Sequence, residues 1–296
     1  MRRSSLSAEN ASNFGSYSAV VVWRRRGLTL LELVVVLAIL AAVAGIVAPL
    51  LPNLLRRAHK ATDATQTSEV SKAVQMYQAS YYSYPDNFDL LTDGSAFPTY
   101  LPKDGGNVFG GFVTAASLTD DQLKALGRVG VLKLQKMSGT VITTNDFHPT
   151  MRPYAGATPT ADALQLFDSN GDLTAAAQGA KFAKLNLTTI ASANPSFLQT
   201  IRDADPTAQF VVFGVGPRTS MVGQVIQDAP MSVPQNKQLT PANTYCRVGV
   251  IFQIDGVEVQ RTERARFIAA VAMEDDELET TEKDIVGFHE VAQSNP

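Results

Sequence analysis

The sequence predicts an α+β protein: a long N-terminal helix, transmembrane in its first part and amphipathic in its second, packed on a C-terminal antiparallel β-sheet within an enlarged ectodomain. Three observations lead there. The stretch from Leu28 to Leu51 is an apolar run holding a single charge, Glu32. Beyond it, Val70, Val74, Tyr77, Tyr81 and Tyr84 recur at spacings of four, three, four and three, which is the helical period. The last hundred residues carry four segments rich in Val, Ile and Phe, bounded by turn residues.

The apolar run is long enough to span a bilayer. At ~1.5 Å rise per residue it reaches roughly 36 Å, against a hydrocarbon core of about 30 Å. Arg24, Arg25 and Arg26 stand before it and hold the N-terminus in the cytoplasm by the positive-inside rule, so residues after about 55 lie outside. Arg56, Arg57 and Lys60 on the far side only partly offset that asymmetry. A carboxylate at the bilayer centre costs roughly 2.5 to 3.5 kcal/mol, so Glu32 needs a partner or a role. Residues 1–27, rich in Ser and Asn, read as a leader, and the apolar patch Ala19 to Trp23 is too short to span a membrane.

Arginines, Gly27, then Leu28, Thr29, Leu30, Leu31, Glu32, Leu33 and an aliphatic run resemble the processing site of type IV pilins and the pseudopilins of type II secretion systems. The resemblance implies that a prepilin peptidase cuts between Gly27 and Leu28 and methylates the new N-terminus. Glu32 then holds the family's fifth mature position, and Thr29, Glu32 and Pro49 are the assembly residues. Pro49 falls where many members carry a helix-interrupting proline. Two departures are Leu28, where the family usually has Phe or Met, and the long leader. The segment KAVQMYQASYYSYPDNFDLL resembles major pseudopilins, whose helix runs out through a tyrosine-proline turn to a leucine pair, here Leu90 and Leu91. The resemblance covers roughly Arg24 to Leu91.

Membership of that family would make the chain a structural subunit with no enzymatic activity. It is anchored once in the bacterial inner membrane, N-terminus cytoplasmic and C-terminal domain periplasmic, and polymerises into a secretion pseudopilus or related filament. Its partners are the prepilin peptidase, other pilin or pseudopilin subunits, an assembly platform protein with its ATPase, and the membrane. The organisation is a leader at 1–27, an N-terminal helix at 28–84 with its span at 28–51, and an extracytoplasmic α+β domain at 85–296. Physics supplies a reason for Glu32: it neutralises the α-amine of Leu28 on a neighbouring subunit in a low-dielectric filament core, where either charge alone is costly. The alternative is a membrane-anchored extracytoplasmic binding domain that does not polymerise. A signal anchor carrying a stray glutamate explains the run less economically, because glycine, arginines and glutamate agree in position.

Composition sets further bounds. With 45% hydrophobic and 18% charged residues and a net charge of −3, the chain outside the span is ordinary globular protein. A pI of about 5.7 offers no basic footprint for nucleic acid. Cys246 is the single cysteine, so no intramolecular disulfide forms, and its setting between Tyr245 and Arg247 suggests a small buried side chain.

Taken in order, Pro49 and Pro52 are expected to kink or open the helix, and Pro85 to end it at Tyr84. Residues 92–118, rich in Gly, Pro and Asp, read as an irregular loop. Thr119 caps a short helix with Gln122 completing a capping box. Val129 to Leu134 reads as a strand, Thr160 to Phe167 and Pro195 to Arg202 as helices. Gln209–Gly216, Met221–Gln227, Thr244–Asp255 and Val257–Met273 are the sheet strands, with Asp255-Gly256 as a hairpin turn.

Several constellations bear weighing. Asp168, Asn170 and Asp172 alternate around Gly171 like the first half of a calcium loop, but Leu173 stands where glycine is expected and Gly179 where the distal glutamate is, so an Asx turn competes with calcium as the reading. No other cofactor is implied. Glu274 to Asp284 is acidic and reads as a solvated turn, with ion or basic-partner binding as the alternative. His59, His148 and His289 lack metal-ligand spacing, and Asp146 beside His148 has no nucleophile near it. Gly214-Val215-Gly216-Pro217 lacks the third glycine of a phosphate-binding turn.

Overall fold

Leucine, valine, alanine and isoleucine occupy every side of the first helix, α1 (Leu30–Val47), whose mean hydropathy is 2.9. No residue of it is buried within the chain. Its many β-branched residues are indifferent helix formers in water, but in a medium that offers the backbone no hydrogen bonds a helix satisfies every amide internally. It is long and apolar enough to cross a membrane. The computed structural model describes residues 30–48, 51–137, 163–202, 205–231, 244–273 and 278–280. The chain divides into two units, Met1–Leu50 and Leu51–Pro296.

The second unit opens with α2 (Leu51–Tyr81). Pro52 does not kink it, because it stands in the first turn, where its missing N–H would have no partner in any case. The expected interruption at Pro49 lies outside the described residues. One face of α2 is buried from Lys60 to Tyr77, first polar at Lys60, Asp63 and Thr67, then apolar at Val70, Ala73, Val74 and Tyr77. Tyr81 departs from the expected stripe: it is half-exposed, with its ring against that of Tyr77, 4.5 Å away between centroids. The helix ends at Tyr81, three residues before the expected point, because Tyr82 turns left-handed (φ 57°) ahead of the pre-proline residue. Tyr84 then folds back into the core.

The sheet is built from β1 (Phe88–Asp89), β4 (Val113–Ala116), β5 (Lys133–Gln135), β6 (Ala163–Gln165), β7 (Phe182–Leu185), β8 (Gln209–Gly214), β9 (Val248–Asp255), β10 (Arg266–Met273) and β11 (Leu278–Thr280), while β2 (Lys103–Asp104) and β3 (Asn107–Val108) make a separate two-stranded ladder. The order is β11-β10-β9-β8-β1-β5-β6, with β7 also on β8 and β4 on β7. Strand β8 pairs with β9 along one edge and shares the other between β7 at Val211 and β1 at Gly214. The sheet therefore forks at β8. It is mixed rather than purely antiparallel, since β1 and β5 run parallel; the long connection between them, containing β4 and α3 (Asp120–Gly127), supplies the crossover a parallel pair requires.

Both faces of the central strands are covered. Val211, Phe213, Val248, Val250 and Phe252 belong to the core that includes α2, while Phe210, Val212, Ile251, Val271 and Met273 belong to a second core on the other face. Successive strand residues point to opposite faces, so two-sided burial requires the unbroken apolar runs seen in β8 and β9. The rings of Phe88, Phe213, Phe252 and Phe267 form a chain with neighbouring centroids 5.8–6.1 Å apart. Tyr84 meets Phe252 edge-on at 5.2 Å, and its hydroxyl accepts from the amide of Phe267 at 3.3 Å.

Several sequence expectations need correction. Residues 163–165 of the expected Thr160–Phe167 helix are strand β6, whose buried Leu164 lies opposite Leu134 while Gln165 is exposed, a period of two rather than 3.6. Val129–Leu134 becomes strand only from Lys133, because Gly130 turns at φ +95°. Met221–Gln227 is a set of turns: the Met221 carbonyl accepts from the amides of Gln224, Val225 and Ile226 at 3.3, 2.9 and 3.2 Å. Asp255-Gly256 is not a hairpin turn. Gly256 (φ +124°) leads into α7 (Val257–Thr262), whose first amide donates to Asp205 Oδ2 at 2.8 Å, and β10 starts after it. Residues 92–118 hold β2, β3, β4 and the 3-10 turn Phe109–Gly111 rather than loop alone.

The capping box does form. Thr119 Oγ1 accepts from the Gln122 amide at 3.3 Å, and Gln122 Oε1 from the Thr119 amide at 3.1 Å. The helix opened by Pro195 is α6 (Pro195–Arg202); α4 (Ala175–Gly179) and α5 (Leu187–Ala193) precede it.

Candidate processing and assembly segment

The segment that the sequence singles out is α1 with the residues before it. Glu32 sits in the first turn of the helix, the end at which the helix dipole favours a negative charge. From Leu33 to Val47 every side chain is aliphatic save Gly45. Large side chains around the whole circumference are solvent-exposed within this chain, among them Leu30, Leu31, Leu37, Ile39, Leu40 and Ile46. A helix apolar on all sides has to be enclosed by lipid or by other protein, and no residue of α1 is buried among the described residues. Gly27, Leu28, Thr29 and Pro49 lie outside the described residues.

The Asp168–Asp172 turn is organised by its own backbone. Asp168 Oδ1 accepts from the amides of Asn170 at 2.8 Å and Asp172 at 3.0 Å, and the Asp168 amide donates to the Asp172 carbonyl at 2.8 Å. Gly171 turns at φ +84°, and the flanking Phe167 and Leu173 form a bridge. These bonds form an Asx turn that joins two chain segments. Among the described residues, no three His, Cys, Asp or Glu side chains are grouped to hold a metal ion. Asp146, His148 and His289 lie outside the described residues, as does the Glu274–Asp284 run apart from β11.

One buried polar cluster escaped the sequence reading. Asp89, at the end of β1, is wholly buried, and Tyr245 donates its hydroxyl to Asp89 Oδ2 at 2.5 Å. Asp89 Oδ1 has no hydrogen-bond partner among the described residues. Burial pushes the Asp89 carboxyl up to about 7, against the opposing pull of the Tyr245 hydroxyl and the cations of Arg247 and Arg218. Burial and the Asp89 charge hold the Tyr245 phenol well above its ordinary value. The Cys246 thiol is also raised by burial, to about 12, which leaves it unreactive and agrees with a packing role. Gly214 explains its own identity here: a Cβ would stand 1.8 Å from Tyr245 Oη and 3.1 Å from Asp89 Cβ. The glycine within the apolar run Gln209–Gly214 was the available signal, since a strand glycine marks close approach.

Residues 24–48 match the family model described as the prokaryotic N-terminal methylation motif. No curated protein and no solved structure matches the chain. The match begins at the arginines, includes Gly27, Leu28, Thr29 and Glu32, and continues through the whole of α1. The chain thus carries the signature of type IV pilins and pseudopilins, that of a pilin-like protein made as a precursor and processed at its N-terminus.

Proposed function

We propose that this chain is a pseudopilin-like structural subunit that polymerises through α1 into a type II secretion pseudopilus or a related type IV filament. It is inserted in the bacterial inner membrane with residues 1–27 cytoplasmic, is cut after Gly27 and methylated on Leu28, and carries its α+β domain on the periplasmic side. An assembly platform protein and its ATPase extract it into the growing filament. Its role is mechanical rather than catalytic. The observation that carries this reading is the methylation motif continuing into a helix that is apolar on every side, with one carboxylate in its first turn.

In the filament the Leu28 amine is a cation at the tip of an apolar helix, and Glu32 of the adjoining subunit neutralises it. The pair fixes axial register, because a desolvated charge left without its partner is far costlier than the pair. Thr29 lies between the two charges in sequence, and Pro49 lets the helix bend at the far end of its span.

Intact-mass measurement on protein from its native membrane tests processing: the expected chain begins at Leu28 and carries one added methyl, and a chain that keeps residues before Gly27 would refute it. Glu32→Ala tests assembly. It should abolish incorporation into filaments while membrane anchoring persists. Undiminished incorporation would favour an anchored binding domain whose helix serves only as a tether.

A further inference from the structure

We propose that Asn170 is a site of spontaneous covalent modification in the folded chain: the backbone nitrogen of Gly171 displaces ammonia from its side-chain amide, and water then opens the ring. The sequence contains one Asn-Gly pair, Asn170-Gly171. Ring closure joins the side-chain carbonyl carbon of an asparagine to the nitrogen of the next residue, so a side chain on that next residue obstructs it. Glycine has none, and a Cβ built at Gly171 would meet nothing within 4 Å, so the neighbouring chain leaves the approach open as well.

The turn between β6 and α4 keeps the reacting groups accessible. Residues 168–172 are all exposed. Asp168 Oδ1 holds the Asn170 backbone amide at 2.8 Å, but the Asn170 side chain makes no hydrogen bond among the described residues. One bond restrains the attacking nitrogen, from the Gly171 amide to the Asp168 carbonyl at 3.2 Å. It is the longest bond of the turn, and releasing a single exposed hydrogen bond costs little. Other asparagines are less favourable. Asn107 is equally exposed, but the branched Val108 follows it and is buried in β3; Asn186 precedes Leu187 and accepts from the Thr189 amide at 3.3 Å.

The step balances with water as its only co-reactant. A bond forms between Gly171 N and Asn170 Cγ, the bond from Cγ to Nδ2 breaks, and the proton of the Gly171 amide leaves with the ammonia. Water then adds to one of the two carbonyl carbons of the ring. Opening at one restores the ordinary backbone with a carboxylate at position 170; opening at the other routes the main chain through Cβ and Cγ, as isoaspartate. The first product sets a new negative charge beside Asp168 and Asp172, on a chain whose formal charge is −3. The second lengthens the main chain inside a turn closed by bonds from Asp168 to Asn170, Gly171 and Asp172, which cannot all survive. Thr174, just beyond, bonds to the carbonyls of Gln165 at 2.6 Å and Leu166 at 3.0 Å, so the disturbance stops at the turn and the fold persists.

The test incubates the full chain, folded in zwitterionic detergent micelles, in mildly alkaline buffer, with a parallel sample in urea. Peptide mapping should show a gain of about 1 Da that fragmentation places at residue 170, with isoaspartate among the products. The gain should build up faster there than at Asn107. Asn170→Gln, whose longer side chain closes a less favourable ring, should abolish it, as should Gly171→Ala. Since alanine is strained at the Gly171 φ of +84°, Asn170→Gln decides if that variant misfolds. A gain at position 170 in urea but none in the folded chain would overturn the proposal, as would equal gains at residues 107 and 170, or an isoaspartate signal that survives Asn170→Gln.

Discussion

Helix α1 and strand β9 are both apolar nearly from end to end, yet their apolar side chains have opposite fates. Every residue of α1 is exposed within the chain, whereas β9 is buried from Val248 through Ile254. The β9 run is enclosed by this molecule itself, with one core on each face. The α1 run is not. The difference separates two meanings of hydrophobicity in one sequence: β9 stabilises the fold around it, and α1 presents an apolar surface long enough to cross a membrane.

The largest effect expected from this contrast comes from paired truncations. Phe252→Ala removes a ring that touches Tyr84, Phe88, Phe213 and Phe267, and should cost about 3–5 kcal/mol in urea unfolding of the full chain in micelles. Leu40→Ala, at an aliphatic position that is more than half exposed, should leave that transition where it is. A shift of the same transition by Leu40→Ala would break the comparison.

Gly214→Ala should come next, at about 1–3 kcal/mol of overpacking, because its new methyl collides with the Tyr245 hydroxyl. Combining it with Tyr245→Phe removes the colliding oxygen. The double variant should therefore be less destabilised than the sum of the two single ones, and strict additivity would place the clash elsewhere.

How much of this was legible beforehand varied with the range of the interaction. Helix signals that depend on neighbours in sequence were readable: the capping box at Thr119 and Gln122, the proline opening α6, and the α1 run with its motif. The end of α2 was placed within three residues, since pre-proline geometry is local. Failures came where pairing across the chain decides. Residues 163–165 became a strand because Leu134 is there to meet Leu164, and Met221–Gln227 did not because it pairs with no strand among the described residues. Asp255-Gly256 has the composition of a hairpin turn, but Asp205, about fifty residues upstream, accepts from the Val257 amide and starts a helix instead. Of the candidate segment, the place of Glu32 at the start of an apolar helix follows from its neighbours alone. Asp89 was invisible, because nothing in Asn87-Phe88-Asp89-Leu90 tells that Tyr245 will arrive beside it.

A smaller effect sharpens the comparison from the local side. Thr119 caps α3 through a bond confined to four consecutive residues, so its contribution should be modest and separable from either apolar run. Thr119→Ala removes the acceptor for the Gln122 amide and should cost about 1 kcal/mol, whereas Thr119→Ser keeps the oxygen and should cost a fraction of that. In thermal unfolding of a domain this size the alanine variant should melt about 2–4 °C lower. Gln122 also donates to Gln209 at 3.0 Å and to Asp255 at 3.1 Å, tying the capped turn to β8 and β9. If Thr119→Ala instead cost as much as Phe252→Ala, the cap would be holding that cross-strand network rather than one helix end, and the division between locally and globally encoded structure would move to include α3.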